Sequence, residues 1–207
     1  GGGVSIIPGA PQWGLYKSTD GGASWTFIHN GAATPGVCTG DTTEATNGGP
    51  CSPRGVRRVV LDPQNPSIVY AGSYARGVWK STNAGGSWVQ IHNPLVSSAA
   101  VTTSRPEIAV NVKNGKTVMY IAEGASGTPS ARVFRTDDAQ TATPAAGWTD
   151  LTSSSAADPK YGTFAYCTGQ CWYDNFVYTP KGSPDVVYVG GSYSYNETGR
   201  ISNGRAV

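Results

Sequence analysis

The sequence is poor in charge. Of 207 residues only 14 % are Asp, Glu, Lys or Arg, against a usual ~25 %. Fifteen basic residues nearly cancel thirteen acidic ones, leaving a net charge of +2. That excludes the basic footprint of a nucleic-acid-binding domain. The single basic knot, Arg54, Arg57 and Arg58, is too short to supply one. A long-helix or coiled-coil protein is excluded too, because it needs abundant Glu, Lys, Ala and Leu. No apolar run approaches the ~18–20 residues of a membrane helix, so no membrane span is expected. The first residues, Gly-Gly-Gly-Val-Ser-Ile-Ile, lack the charged start and long apolar stretch of a signal peptide. They are expected to be a processed or a cut end.

Histidine and cysteine are scarce, two and four residues. Neither cysteine pair has zinc-type two-residue spacing, and neither His29 nor His92 lies beside a pair, so no metal is expected. No phosphate-loop lysine follows the Gly-Gly runs, and no Ser/His/Asp set is assignable. No cofactor is expected. Four cysteines allow three pairings. The two local ones, Cys38–Cys51 and Cys167–Cys171, are favoured because each closes a single loop, with zinc and free thiols as alternatives. Disulfides would place the chain in an oxidising compartment, extracellular, at the cell surface or periplasmic. Asn196-Glu197-Thr198 matches a glycosylation sequon.

Glycine and proline abound, 28 and 14 residues, about one residue in five against a usual ~12 %. With 38 % hydrophobic and 10 % aromatic residues, the composition is not that of a disordered chain. Many short strands joined by Gly/Pro turns are expected.

An internal repeat sets the architecture. Gly14-Leu-Tyr-Lys-Ser-Thr-Asp-Gly-Gly-Ala-Ser-Trp25 recurs as Gly77-Val-Trp-Lys-Ser-Thr-Asn-Ala-Gly-Gly-Ser-Trp88, 63 residues on. An eroded third copy runs from Arg132-Val-Phe-Arg-Thr-Asp137 through an insertion to Gly147-Trp148. A second element, Leu61-Asp-Pro-Gln-Asn-Pro-Ser-Ile-Val-Tyr-Ala-Gly72, is echoed by the stretch from Tyr178 to Gly190, with Val112–Tyr120 as a degenerate middle copy. Each unit reads as four strands. The best copy predicts them at about Val56–Leu61, Ile68–Ser73, Gly77–Ser81 and Ser87–His92. The next predicts Ile108–Val112, Val118–Glu123, Arg132–Thr136 and Gly147–Leu151. Val, Ile, Tyr and Trp dominate these runs, as strands prefer.

The Ser-Thr-Asp-Gly-Gly-Ala-Ser-Trp element resembles the Asp box (BNR repeat), the turn signature of sialidase-type β-propellers. Xyloglucanase-like glycosidases, sortilin-type receptors and a photosystem assembly factor share it. The resemblance implies an all-β propeller of four-stranded antiparallel blades. It does not imply one function, since these families differ. Ser18, Asp20, Gly22 and Trp25, and in the second copy Ser81, Asn83, Gly85 and Trp88, are expected to be structural. The carboxylate binds its own turn, the glycines permit positive φ, and the indole covers the hairpin. Asp137 is assigned to the eroded third box. The chain divides into a half blade over 1–30, blades over 55–93 and 105–152, and a half blade over 172–207. About three blades fall short of the four to eight that close a ring. The rest of the ring is expected from a longer chain or from other subunits.

In such propellers one face collects the loops that join fourth to first strands and second to third strands. Here these are Asn30–Gly55, Asn93–Glu107 and Thr152–Asp174, with Tyr74–Arg76, Gly124–Ala131 and Ser194–Arg200. Long loops on a rigid scaffold are where function usually sits. Tyr74, Arg76, Trp172, Tyr173, Tyr193 and Tyr195 are candidates for binding a glycan or another protein chain, since flat rings beside arginine suit both. Tyr161 and Tyr166 lie on the same face. Among its carboxylates (Asp41, Glu44, Glu107, Glu123, Asp174 and Glu197), Asp174 and Glu107 could form an acid/base pair if the protein is a glycoside hydrolase. Rim salt bridges to Arg54, Arg57 or Arg105 are the competing assignment. His29 and His92 end equivalent fourth strands and are expected to be strand-edge residues. A binding or structural module is the preferred reading; a xyloglucanase-like glycosidase is the alternative.

Overall fold

The structure, a computed structural model, describes residues 13–34, 51–94, 104–125, 131–164, 166–167, 170–172 and 174–191. Among the described residues it is all-β apart from one short 3-10 helix, Pro159–Thr163. The strands are β1 (Leu15–Lys17), β2 (Thr26–His29), β3 (Val56–Leu61), β4 (Val69–Ser73), β5 (Gly77–Ser81) and β6 (Val89–His92). They continue with β7 (Arg105–Lys113), β8 (Lys116–Gly124), β9 (Arg132–Thr136), β10 (Thr149–Asp150), β11 (Asn175–Tyr178) and β12 (Tyr188–Gly191). Four sheets result: β1-β2, β3-β4-β5-β6, β7-β8-β9-β10 and β11-β12. Every pairing is antiparallel between strands consecutive in the chain. The sheets do not close into a barrel among the described residues.

Each sheet packs face to face on the next. Val69, Ala71, Trp79 and Trp88 of the second sheet bury against Leu15 and Ile28 of the first. On its other face Tyr70, Val78 and Ile91 bury against Ile108, Met119 and Ile121 of the third. Val118, Tyr120, Ala122 and Val133 of the third then meet Val177 and Val189 of the fourth. The two-residue period of a strand explains this division, since alternate residues point to opposite faces. In β8, Val118, Tyr120 and Ala122 face forward while Met119 and Ile121 face back. A strand covered on both faces therefore carries an unbroken apolar run. First strands lie together, β7 packing against both β3 and β11. The fold is propeller-like, with blade-like sheets stacked in chain order.

The two good copies of the repeat share three turn hydrogen bonds. Ser18 Oγ donates to Asp20 Oδ1 at 2.8 Å and accepts from Gly22 N at 2.8 Å, while Ser24 N donates to Asp20 Oδ1 at 2.9 Å. In the second copy Ser81 Oγ donates to Asn83 Oδ1 at 2.9 Å and accepts from Gly85 N at 2.8 Å, and Ser87 N donates to Asn83 Oδ1 at 2.8 Å. Gly22 and Gly85 hold φ of +97° and +95°, where a side chain would strain. The Ser24 hydroxyl, which donates to Asp20 Oδ2 at 2.6 Å, together with Ser24 N and Ser18 Oγ holds the exposed Asp20 carboxyl down at about 2. The third copy corrects the sequence reading. Asp138, not Asp137, takes the Asp20 position: Asp138 N bonds Thr136 Oγ1 at 3.2 Å and Gln140 N bonds Asp138 Oδ1 at 3.1 Å. Asp137 is exposed and pairs with Arg135. Erosion of the Gly-Gly-x-Ser signature had left the register one residue ambiguous.

The box tryptophans also join one sheet to another. Trp88 Nε1 donates to Ile28 O at 2.9 Å, and Trp148 Nε1 donates to Ile91 O at 2.8 Å. The next residue in each case is the histidine that ends its strand, as expected, but it is buried rather than exposed at the edge. His29 is fully buried and His92 nearly so. His29 stacks on Trp88 at 4.4 Å and leans on Trp79 at 5.3 Å. His92 sits 4.8 Å from both Phe134 and Trp148. The sequence places these rings at sheet ends, but neighbouring sheets enclose them.

This enclosure makes stability depend on pH. His29 Nε2 accepts from Gly31 N at 3.1 Å and meets Ser73 Oγ at 2.9 Å. Burial lowers the pKa of His29 from 6.5 to about 4. The unfolded chain then binds a proton that the folded chain refuses. The contribution of neutral, buried His29 is fully present above about pH 6.5 and is lost as pH falls toward 4. Urea midpoints measured across that window are expected to decline, and less steeply in His29→Phe.

Candidate functional site

The antiparallel registers bring one end of each sheet to a common face. Val56 pairs with Ser73, Arg105 with Gly124 and Asn175 with Gly191. First strands start there, second strands end there, and β2 and β6 end there too. The described segments that flank these strand ends, Tyr74–Arg76 among them, lie at this face.

An arginine–aromatic cluster occupies it. The Arg54 guanidinium carbon lies 4.3 Å from the Trp172 ring centroid and 5.2 Å from that of Tyr74. Arg57 lies 5.7 Å from the Tyr74 centroid. Such stacking contributes ~0.5–2 kcal/mol per pair and holds a cation flat against the ring. Arg54 precedes β3, Tyr74 follows β4, and Trp172 precedes β11, so three separate segments build the cluster. Arg54 and Arg57 are exposed, and neither pairs with a carboxylate among the described residues. The Arg54/Arg57/Arg58 knot had looked too short for a nucleic-acid surface. Its meaning lies in the rings beside it, which no local spacing reveals.

Tyr74 needs a correction. It is fully buried rather than exposed, so it forms the floor under the arginines and is not itself a contact surface. Burial raises its pKa, with Arg54, Arg57 and Arg105 opposing. Tyr166, assigned to the same face, is buried and donates to Asn175 Oδ1 at 2.5 Å. Asn175 in turn donates to Arg105 O and Ala122 O. Both tyrosines follow from loops folding inward over sheet ends rather than outward. Arg76 is half-buried and serves its own turn: its Nη1 donates to Ala75 O at 2.7 Å, and its carbonyl accepts from Trp79 and Gln90. Trp172 is half-buried and Tyr161 stacks on Phe164 at 5.8 Å. Tyr173, Tyr193 and Tyr195 lie outside the described residues.

The disulfide Cys167–Cys171 is present, with both residues buried. It lies over the ends of β8 and β12, where a Cβ at Gly124 would fall on Cys171 Sγ and one at Gly191 on Cys167. Cys51 is also buried and disulfide-bonded; Cys38, its expected partner, lies outside the described residues.

The carboxylates on this face have different surroundings. Glu107 is buried, and Arg105 grips its Oε1 through Nε at 2.8 Å and Nη2 at 2.6 Å. Glu123 is fully buried and accepts from Ser104 Oγ, with His92 Nδ1 3.8 Å from its other oxygen. This Ser104–Glu123–His92 grouping joins three segments and was invisible in sequence. The repeat held one clue: Ser73 and Glu123 occupy equivalent strand ends, and each faces the histidine of the preceding sheet. Asp174 is exposed, and no ion pair joins it to a cationic side chain among the described residues. Asp41, Glu44 and Glu197 lie outside the described residues. No group of three or more His, Cys, Asp or Glu suited to a metal ion occurs among the described residues. No helix there is long and apolar enough to cross a membrane.

No protein-family model matches this chain, and no curated protein matches it. Among solved structures it is similar to the GH74 xyloglucanase from Xanthomonas campestris, with 22 % sequence identity and a TM-score of 0.40. That match covers 69 % of this chain and 20 % of the xyloglucanase chain.

Proposed function

We propose that this chain is part of a secreted, cell-surface or periplasmic propeller. It acts as a binding or structural module that holds a glycan or a partner protein on its loop face. The observation that carries this reading is the Arg54 guanidinium stacked on Trp172 and Tyr74, with Arg57 beside it and no carboxylate on either arginine among the described residues. Arginine, tyrosine and tryptophan are the residues that anchor interfaces most often. A stacked arginine keeps its N–H edge free for hydroxyl, carbonyl or carboxylate oxygens of a ligand. The carboxylate arrangement supports the same reading. A glycosidase needs two carboxyl groups facing each other across the bond, whereas Glu107 is taken by Arg105 and Glu123 by Ser104. The disulfide under the loops favours a rigid, oxidised surface.

The test is titration of the chain against a panel of soluble polysaccharides by biolayer interferometry, with a reducing-sugar assay on the same panel. Binding without sugar release is expected, weakened at least tenfold in Arg54→Ala and in Trp172→Ala and unchanged in Lys160→Ala. Sugar release that disappears in Asp174→Asn would replace the module by a glycoside hydrolase.

A further inference from the structure

A groove between the last strands of the second and third sheets holds polar groups that the fold does not use. The two histidines show how. His29 and His92 end equivalent strands, and each is followed by asparagine. His29 Nε2 accepts from Gly31 N at 3.1 Å and meets Ser73 Oγ at 2.9 Å. At the second interface both partners have changed. Pro94 stands where Gly31 stood, and proline has no N–H to give. Glu123 stands where Ser73 stood, and it accepts from Ser104 Oγ. His92 Nδ1 lies 3.8 Å from Glu123 Oε2, beyond hydrogen-bond reach. The His92 side chain is more than nine-tenths buried, yet it makes no hydrogen bond among the described residues. Buried polar groups in folded proteins are almost always bonded.

Space lies against this imidazole. In the second sheet Trp79 pairs across the strands with Gln90, and its Nε1 and the Gln90 amide both donate to Arg76 O. In the third sheet the corresponding pair is Phe134 and Asp150. A phenyl ring is smaller than an indole and has no N–H. A cavity of about 290 Å³ lies beside this pair, lined by His92, Asn93, Phe134, Trp148, Asp150 and the inserted turn at Pro144. Its walls are apolar. Phe134 and Trp148 each lie 4.8 Å from His92, and the Trp148 N–H is committed to Ile91 O. Its polar side chains are few: His92, the exposed Asn93 and the half-buried Asp150. Asp150 pairs with Arg132 at 2.8 Å and accepts from Thr152 N at 2.8 Å. A carboxylate has about four lone-pair sites, so some are left.

We propose that this cavity binds a neutral sugar ring. Its volume falls just under the ~300 Å³ at which sites for drug-sized ligands begin, which suits one six-membered ring. The negative faces of two aromatic rings attract the C–H groups of a pyranose. The sugar hydroxyls donate to the spare lone pairs of Asp150 and meet His92. Burial holds His92 down at about 4, so the ring is neutral at pH 7. A neutral imidazole presents one donor and one acceptor, and a hydroxyl serves either tautomer. Arg132 already neutralises Asp150, so neither an anion nor a cation gains from the site. No residue is shared with the Arg54–Trp172 cluster, and the cavity stands whether or not the loop face binds anything.

The test follows the imidazole nitrogens of the two histidines by NMR during titration with glucose, galactose, mannose, xylose and their methyl glycosides. Glucuronic acid is the charged comparison. At least one neutral sugar is expected to move the His92 nitrogens saturably and to leave those of His29 in place. A methyl glycoside that binds as well as its free sugar assigns the site to the end of a glycan chain; one that fails assigns it to the free sugar. Phe134→Trp, which fills the cavity as Trp79 fills its own place, is expected to weaken binding at least tenfold, and so is Asp150→Ala at the rim. His29 signals at their wild-type positions show that either variant is folded. Arg54→Ala is expected to bind as the wild type does, so the two readings fail separately. No saturable His92 shift with any neutral sugar, at concentrations that fill a millimolar site, would overturn the proposal. A shift with glucuronic acid alone, or one that both cavity variants retain, would overturn it too.

Discussion

Replacing Trp88 with alanine is expected to lower the unfolding free energy by about 3–5 kcal/mol, the usual cost of emptying a buried tryptophan site. Trp88 fills the interface between the first two sheets, packs on His29 and donates to Ile28 O. Its removal opens a cavity against Leu15, Ile28 and Val56 and leaves the Ile28 carbonyl without its donor. For a chain of this size the melting temperature should drop by roughly 10 °C. Trp25→Ala, the same residue in the same turn, should change stability by no more than about 0.5 kcal/mol, because Trp25 is largely in water. Differential scanning calorimetry of both variants decides it. Equal losses would mean that the tryptophan acts within its own hairpin and not between sheets. Trp88→Phe should fall between the two, keeping most of the apolar area but losing the N–H, a bond worth about 1 kcal/mol.

The second large effect concerns Asp62, in the turn between β3 and β4. It is 2 % exposed and accepts five hydrogen bonds. Gln64 N and Asn65 N reach Oδ1 at 2.9 and 3.2 Å from its own turn. Tyr70 Oη, Thr117 Oγ1 and Gln140 Nε2 reach Oδ2 at 2.9, 2.8 and 3.3 Å. Thr117 and Gln140 belong to the third sheet and its turn, so one carboxylate ties two sheets together. Asp62→Ala strands several buried donors at about 1–3 kcal/mol each, and a loss of at least about 3 kcal/mol is expected. Asp62→Asn should do little better, because its amide nitrogen would face donors. Burial alone would raise the Asp62 pKa; the donors from Gln64, Thr117, Tyr70 and Gln140 outweigh it, and the net shift is downward. The sign follows. Asp62 contributes stability above the unfolded carboxylate pKa, about 3.9, and that contribution is lost as pH falls through its lower folded value. Urea unfolding at pH 7, 4 and 2.5 should show the wild-type protein losing stability at the acid end and Asp62→Ala losing less. Parallel pH profiles for the two proteins would remove Asp62 from this role.

Both effects rest on residues whose type was readable in the chain but whose partners were not. The Ser-Thr-Asp-Gly-Gly turn could be read directly, because its hydrogen bonds run between residues two to four apart. The strands of the second and third sheets could be read for a related reason. Their partners follow one turn later, and Val, Ile and Tyr runs bounded by Asp-Pro or Asn-Gly leave little choice of pairing. The one local misreading, Asp137 for Asp138, came where insertion had worn the turn away. Buried histidines, the buried Tyr74 and the Asp62 hub were different. His29 looked like the end of a strand, as it is, but what covers it lies 44 to 59 residues further on, at Ser73, Trp79 and Trp88.

From the residues alone came the all-β class, the short antiparallel strands, the repeat and the chemistry of its turns, since each depends on contacts within a few residues or one hairpin. Tertiary packing decided which faces are dry. It set Arg54 on Trp172 across 118 residues of chain, enclosed Glu123 beside His92, and left Trp25 bare while burying its twin. Burial and stacking are properties of whole surfaces brought together, and two copies of one motif carry no mark of which will be covered.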